Sequence, residues 1–383
     1  MGREEAVWTR ADGGRMATNT HIQFSGARRR ILRLTARKLA LATATAVCAT
    51  LVLGLLGGVN ATPEAARATL PSSSKQHSTF GWPVKPFDKP HPIRGNFGDP
   101  RTVFFAPPTP AGLMHGRVDA SFHQGIDISA PDGSAVYSVC SGTVVTVTAA
   151  WVRVDCGGGN RFEYWHIRSA VKVGDHAETD RTVLGHILRE AQHVHLTEYA
   201  DGRVVNPLAP GRLGPYSDTT APRVTSIAFR RNDSGTDLLP SFVRGQLQLL
   251  VSAEDRPSLP APGIWKNLPT TPALLTWQIK SWTGKDVTPR HVAFDHRQTE
   301  PANSAFWSTY ARGTYQNMAV FYPHYSYLQG GCYVFRLTRG PFDTRTLRDG
   351  VYDLVVTATD IRGNHSSLTQ RFTVHNRSGW IGS

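Results

Sequence analysis

Residues 122–128 read Phe-His-Gln-Gly-Ile-Asp-Ile, and this short stretch is the most informative part of the 383-residue chain. It carries a histidine and an aspartate four positions apart, His123 and Asp127, among apolar residues. In an extended segment an even offset puts two side chains on one face. If the stretch is extended, an imidazole and a carboxylate therefore face one site.

Three of the histidines further along the chain belong to the same pattern. His166 ends a Tyr-Trp-His tripeptide, and His193 and His195 flank Val194. On a strand, His193 and His195 point to the same face while Val194 packs behind them. A zinc ion that does chemistry takes three nitrogen or oxygen ligands and keeps one position open for water. Together with the earlier pair, these histidines indicate a zinc hydrolase site with two imidazoles left over to move protons.

The surrounding sequence resembles the lysostaphin-like zinc metallopeptidases, which are peptidoglycan endopeptidases. The order and spacing of the motifs match that family from roughly Phe80 to Pro210. Beside the histidine motifs, the segments that carry the resemblance are Ala130-Pro-Asp-Gly-Ser-Ala-Val-Tyr137, Ser141-Gly-Thr-Val-Val145, Gly157-Gly-Gly-Asn160, Val173-Gly-Asp175 and Gly202-Arg-Val-Val-Asn-Pro207.

This resemblance implies a mainly β fold. It predicts a lysostaphin-like antiparallel β-sheet peptidase domain, of the duplicated hybrid motif type, over residues 80–215. It also implies that His123, Asp127 and His195 ligate Zn2+. The implied substrate is the peptide part of bacterial peptidoglycan.

The two remaining histidines receive catalytic roles from the same resemblance. His166 and His193 are implied to act on the substrate and on the attacking water, and which of the two accepts the proton stays open. Residues 186–192, just before His193, depart from the glycine-containing loop that is usual in the family. This departure bears on substrate selectivity more than on metal binding.

The N-terminus predicts export. Residues 1–38 are basic, and residues 39–61 carry no charge and end in the small-residue site Val59-Asn-Ala61. This layout is that of a cleaved signal peptide, although an apolar run of this length also suits an uncleaved membrane anchor. Both alternatives make the remaining chain extracytoplasmic, secreted or anchored to the cell membrane facing the cell wall. Residues 62–79 read as a linker.

The cysteines agree with an oxidising compartment. Cys140 and Cys156 flank a predicted strand, turn and strand, and we expect them to form a disulfide. Cys332 would then be unpaired and buried.

The second half of the chain predicts another β domain. Short runs alternate between apolar and polar residues and are separated by Gly, Pro and Asp, which is typical of antiparallel strands. We expect an immunoglobulin-like β-sandwich over residues 222–376 and little helix anywhere. The alternating runs are Arg223–Phe229, Gln246–Val251, Leu274–Ile279, Tyr333–Leu337, Tyr352–Ala358 and Gln370–Val374.

Charge limits the partners. The chain carries a formal net charge of +13, part of which belongs to the basic N-terminus. The remaining basic residues suit an anionic cell-wall polymer, and equally an ordinary solvated surface. No stretch interleaves Lys or Arg with aromatic residues in a recognisable nucleic-acid module, so we expect no nucleic-acid partner. Membrane contact is expected only through the N-terminal segment if that segment stays uncleaved.

Alternatives of two other classes stay open. One is a catalytically silent module of the same fold that binds the wall or regulates another protein. The other assigns the main function, binding of wall glycan or of a partner, to residues 222–376. Glu163 and Glu198 are interpreted either as carboxylates that orient a ligand imidazole or as solvent-facing strand residues.

Overall fold

The structure, a computed structural model, describes residues 79–102, 120–317 and 330–377. Outside these ranges lie the basic segment 1–38, the apolar run 39–61 and residues 62–78 of the predicted linker 62–79. Across the described part of the chain, we find no helix with the length and apolar character needed to span a membrane.

Strands dominate the described residues, and every pairing between strands in their sheets is antiparallel. This confirms the prediction of a mainly β chain with little helix. The described helical segments are α1 (Phe306–Thr309) and the three 3-10 turns Gly263–Trp265, Asn303–Ala305 and Thr344–Thr346.

Residues 79–102 and 120–215 form what we call the N-terminal β region. Its strands are β1 (Ile93–Gly95), β2 (Pro100–Arg101), β3 (Ser121–Phe122), β4 (Ile126–Ser129), β5 (Ala135–Tyr137), β6 (Gly142–Val147), β7 (Trp151–Gly157), β8 (Asn160–Trp165), β9 (Ile167–Ser169), β10 (His176–Ala177), β11 (Val183–Ile187), β12 (His193–Ala200) and β13 (Arg203–Val205). The large sheet has the order β1-β4-β12-β8-β7-β6-β10, with β13 paired to β12. Two small sheets, β5-β11-β9 and β2-β3, accompany it.

In the neighbouring strands β4 and β12, apolar side chains lie on one face of the large sheet and polar side chains lie on the other. Val194 and Leu196 of β12 pair with Ile128 and Ile126 of β4, and all four are buried in the core of this region. Period-two alternation turns the intervening side chains to the opposite face. That opposite face of β4 and β12 therefore carries the acid and the histidines of these strands.

Residues 222–317 and 330–377 form what we call the C-terminal β region. Its strands are β14 (Arg223–Arg231), β15 (Asp237–Leu238), β16 (Gln246–Glu254), β17 (Leu274–Ser281), β18 (His291–Asp295), β19 (Val334–Arg336), β20 (Phe342–Asp343), β21 (Gly350–Thr359) and β22 (His365–Val374). One sheet has the order β15-β14-β16-β19, with β20 paired to β16, and the other has the order β18-β17-β21-β22.

The two sheets of the C-terminal β region share one hydrophobic core. Phe229 of β14 and Leu249 of β16 contribute from one sheet, and Leu275 of β17 and Leu354 of β21 contribute from the other. All six alternating runs coincide with or overlap strands of this region, which confirms them as strands. The immunoglobulin-like topology stays a prediction.

The disulfides follow the expectation in one place and differ from it in another. Cys140 and Cys156 are bonded, with Cα atoms 5.8 Å apart, where the antiparallel pair β6–β7 brings them together. Cys332 is buried as expected, but it is disulfide-bonded, so the expectation that it is unpaired is wrong.

Candidate metal centre

His123 lies in the connection between β3 and β4, not on the strand that carries Asp127. The stretch is therefore not extended throughout, because the chain turns at Gly125 to pass close to β12, and the shared-face argument does not apply to this pair. A Cβ atom at Gly125 would meet the Leu196 carbonyl oxygen at 2.3 Å and the His195 ring at 2.9 Å. Only glycine allows so close an approach between the connection and β12.

Three side-chain atoms nevertheless converge. Asp127 Oδ1 lies 3.2 Å from His123 Nε2 and 3.2 Å from His195 Nδ1, and the two imidazole nitrogens lie 2.7 Å apart. A tetrahedral zinc ion with bonds of about 2.0 Å separates its ligand atoms by roughly 3.3 Å. The spacing of these two imidazoles and one carboxylate is thus close to that of a zinc ligand set, and the group could hold a metal ion.

Hydrogen bonds orient both imidazoles of this group. His123 Nδ1 lies 2.9 Å from the Asn96 carbonyl oxygen, so its N–H donates there and Nε2 is left with a lone pair for a metal. His195 Nε2 lies 2.8 Å from Thr197 Oγ1, which leaves Nδ1 to face Asp127. Each ring thus has one nitrogen engaged by the protein and one directed into the site.

Asp127 is held by an arginine. Arg101 Nη2 donates to Asp127 Oδ2 at 2.7 Å, which leaves Oδ1 for the site. Burial raises the pKa of Asp127, but the Arg101 guanidinium beside it acts in the opposite direction, and the pKa lies well below its usual range. Burial, reinforced by Arg101, lowers the pKa of His123 to about 3. At neutral pH Asp127 is therefore a carboxylate and His123 is a neutral imidazole, and these are the protonation states that a metal ligand requires.

His166 and His193 lie beside this group, with their ring centroids 4.5 Å apart. His193 is on β12, and its Nε2 lies 3.5 Å from Asp127 Oδ1. His166 lies between β8 and β9 in the left-handed region, with φ of 64°. Burial lowers the pKa of His193 and brings that of His166 well below its usual range. Two neutral imidazoles next to the candidate ligands can accept or relay a proton.

Arg94 is a further neighbour of His193. Its Nη2 lies 2.6 Å from His193 Nδ1, and the Ala191 carbonyl oxygen lies 2.6 Å from the same nitrogen. The guanidinium only donates and the carbonyl only accepts, so the two contacts require opposite protonation of Nδ1. Arg94 is, after burial, the second cause of the lowered pKa of His193.

Arg94 and Arg101 are the site residues that sequence reasoning missed. Arg101 ends the glycine-containing segment Gly95-Asn-Phe-Gly-Asp-Pro-Arg101, and a cation there was a usable signal. Arg94 on β1 carries no such signal.

Glu163 and Glu198 neither face solvent nor form a hydrogen bond with a candidate ligand imidazole. Glu163 and Glu198 are buried rather than solvent-facing, and they form ion pairs with Arg153 and Arg212. Glu163 also accepts a hydrogen bond from the Trp165 indole at 2.8 Å. Glu163 therefore fixes a residue next to the site and not a ligand imidazole.

One family model matches part of the N-terminal β region. Residues 121–207 match the model of Peptidase family M23, which confirms the resemblance to the lysostaphin-like peptidases. The matched segment contains the candidate ligands and both further histidines. No curated protein matches the chain.

Solved structures share only weak overall similarity with the chain. It is 20% identical to the SpoIIQ-SpoIIIAH pore forming complex over 30% of this chain and 80% of that one, with a TM-score of 0.24. The catalytic domain of the antimicrobial peptidase lysostaphin from Staphylococcus simulans is 22% identical over 23% of this chain and 77% of that one, with a TM-score of 0.20. A zinc containing peptidase from Vibrio cholerae is 19% identical over 33% and 38%, with a TM-score of 0.26.

Proposed function

Because residues 121–207 match the model of Peptidase family M23, we propose that this protein is a zinc-dependent endopeptidase that hydrolyses peptide cross-links of bacterial peptidoglycan. The observation that carries the proposal is the convergence of His123 Nε2, Asp127 Oδ1 and His195 Nδ1 beside the imidazoles of His166 and His193. The match to the family model supports the reaction class, and the donor set supports the metal.

The roles of the residues follow from their positions. His123, Asp127 and His195 would hold the zinc, which when bound supplies a Lewis acid and lowers the pKa of water to about 7. One of His166 and His193, both kept neutral by burial, accepts a proton from the attacking water. The pair then hydrogen-bonds the developing oxyanion and returns a proton to the leaving amine.

The proposed compartment is outside the cytoplasm. The sequence of residues 1–61 favours a signal peptide or an anchor, and the disulfide between Cys140 and Cys156 suits an oxidising compartment. Peptidoglycan peptides are the proposed substrate, and an anionic wall polymer is the partner that the basic charge favours.

A catalytically silent wall-binding or regulatory module is the second candidate. One observation favours it: Arg101 pairs with Asp127 at 2.7 Å, so the protein itself partly neutralises the carboxylate of the candidate ligand group. Such a module would keep the fold and lack hydrolysis.

Metal analysis and wall digestion separate the candidates. The purified chain is expected to carry a zinc ion and to release new amino termini from isolated cell walls, which mass spectrometry identifies. His123→Ala and Asp127→Ala are expected to lose both the zinc and the hydrolysis, because each removes a ligand. His176→Ala is the matched control, since His176 is exposed on β10 of the same region. Full zinc content in both ligand variants would refute the assignment, and zinc without hydrolysis in the parent would favour the silent module.

A further inference from the structure

One turn forms hydrogen bonds with both the ring and the backbone of His123. The turn comprises residues 96–99 between β1 and β2, and the Asn96 carbonyl accepts the imidazole Nδ1–H at 2.9 Å. The backbone N–H of His123 donates to the Asp99 carbonyl at 2.9 Å, and the N–H of Gly98 donates to the His123 carbonyl at 2.9 Å. The ring and both backbone groups of this candidate ligand thus depend on where the turn lies.

The C-terminal β region binds this turn through buried threonines. Asn96 Nδ2 donates to Thr270 Oγ1 and to the Thr271 carbonyl, both at 3.0 Å. The Thr271 N–H donates to Asp99 Oδ1 at 2.7 Å. Thr270, Thr271 and Asp99 are at most 1% exposed, so water does not replace these hydrogen bonds in the folded chain.

Two aromatic residues extend the same connection. Tyr310 of the C-terminal β region donates its hydroxyl to the Gly98 carbonyl at 2.7 Å and is fully buried. Phe122, the residue before His123, belongs to the hydrophobic core of the C-terminal β region and lies 5.2 Å from Phe306 between ring centroids. The Phe122 N–H donates to Asn303 Oδ1 at 3.0 Å. His123 is therefore held on both sides by groups that the C-terminal β region contacts directly.

We infer that the C-terminal β region is a structural part of the candidate metal site, and that Asn96 and Tyr310 are positioning residues through which it fixes His123. The inference rests on the proposed function in one respect, which is that the site binds a metal. In a modular arrangement, by contrast, the peptidase and a separate binding domain would work independently. A residue that orients a metal ligand commonly contributes 10- to 100-fold to metal affinity, a rough range that sets the expected effect.

The test uses the full chain with Asn96→Ala, Tyr310→Phe and the double variant. Asn96→Ala removes both side-chain hydrogen bonds to the threonines while keeping the carbonyl that accepts from His123. Matched controls are Asn376→Ala and Tyr352→Phe, which remove hydrogen bonds inside the C-terminal β region, away from the turn. The measurements are zinc affinity by competition with a chelator, the visible spectrum with Co2+, and hydrogen exchange of the amides of residues 120–127.

The double variant is expected to bind zinc at least about tenfold more weakly, to change the Co2+ spectrum and to exchange the His123 amide faster, while the controls behave as the parent. Parent-like affinity and exchange in the double variant would overturn the inference, and so would equal losses in the controls. If the parent binds no zinc, the proposed function fails, and the exchange rate of the His123 amide still decides the inference.

Discussion

His166 and His193 are the residues to which the proposed mechanism gives a role other than metal binding. They pack against each other, and burial keeps both imidazoles neutral. In the proposed mechanism they act on protons and developing charge, so His166→Ala and His193→Ala are expected to keep zinc and to lose wall hydrolysis by on the order of 10²-fold or more. Zinc content and initial rates of wall digestion, measured on the same preparations, check this prediction.

His176→Ala again serves as the control for these two variants, because it removes an exposed imidazole from the same region. Its rate and zinc content should equal those of the parent. If His166→Ala or His193→Ala comes back free of metal, the residue concerned must be reassigned as a ligand.

At the scale of elements, the connection between β3 and β4 depends on Gly125. A methyl group there would meet the Leu196 carbonyl oxygen of β12 at 2.3 Å. Gly125→Ala therefore forces the connection away from β12, and we expect weaker zinc binding and a lower midpoint of thermal unfolding. Gly340→Ala is the matched control, since a Cβ at Gly340 meets no atom within 4 Å. An unchanged zinc affinity in Gly125→Ala would show that the close approach has no role in the site.

The strand pair β6–β7 carries the second prediction at this scale. The disulfide between Cys140 and Cys156 closes a loop with a sequence separation of 16 residues. A disulfide that closes a loop of this length stabilises a fold by about 3 kcal/mol, because it restricts the unfolded chain. Cys140→Ala, Cys156→Ala and the double variant should each lower the free energy of unfolding by about this amount. Denaturant unfolding without reductant measures it. A double variant that loses much more than either single variant would contradict a shared bond, as would free thiols at both positions in exported protein.

For the whole molecule, His296 makes stability depend on pH. It is fully buried between Phe122 and Phe294, and burial lowers its pKa to about 4. The unfolded chain binds a proton near pH 6.5 while the folded chain does not, so stability is lost as pH falls from 6.5 through 4. The loss due to this residue is about 3 kcal/mol at pH 4.

His296→Leu should remove this part of the pH dependence. The free energy of unfolding, measured with denaturant at pH 7 and pH 4.5, is expected to fall less in His296→Leu than in the parent. His365→Leu is the control, because His365 is exposed and its replacement should leave the difference unchanged. Equal pH dependence in the parent and in His296→Leu would contradict the prediction.

The sequence by itself determined the strand class of both β regions and the residue types of the candidate site. Alternation of apolar and polar residues is a local property, so the runs beginning at Arg223 and Gln246 predict strands that the structure contains. The same alternation places His193 and His195 on one face of β12 with Val194 in the core. These predictions succeeded because each depends on residues close together in the chain.

Only the tertiary structure decided what surrounds those residues. The contacts of Arg101 with Asp127 and of Arg94 with His193 join segments that no local pattern connects. The hydrogen bond from Asn96 to Thr270 spans 174 positions and links the two β regions. Periodicity predicts which face of a strand is buried but not which distant segment covers it, because packing selects that partner from the whole folded chain.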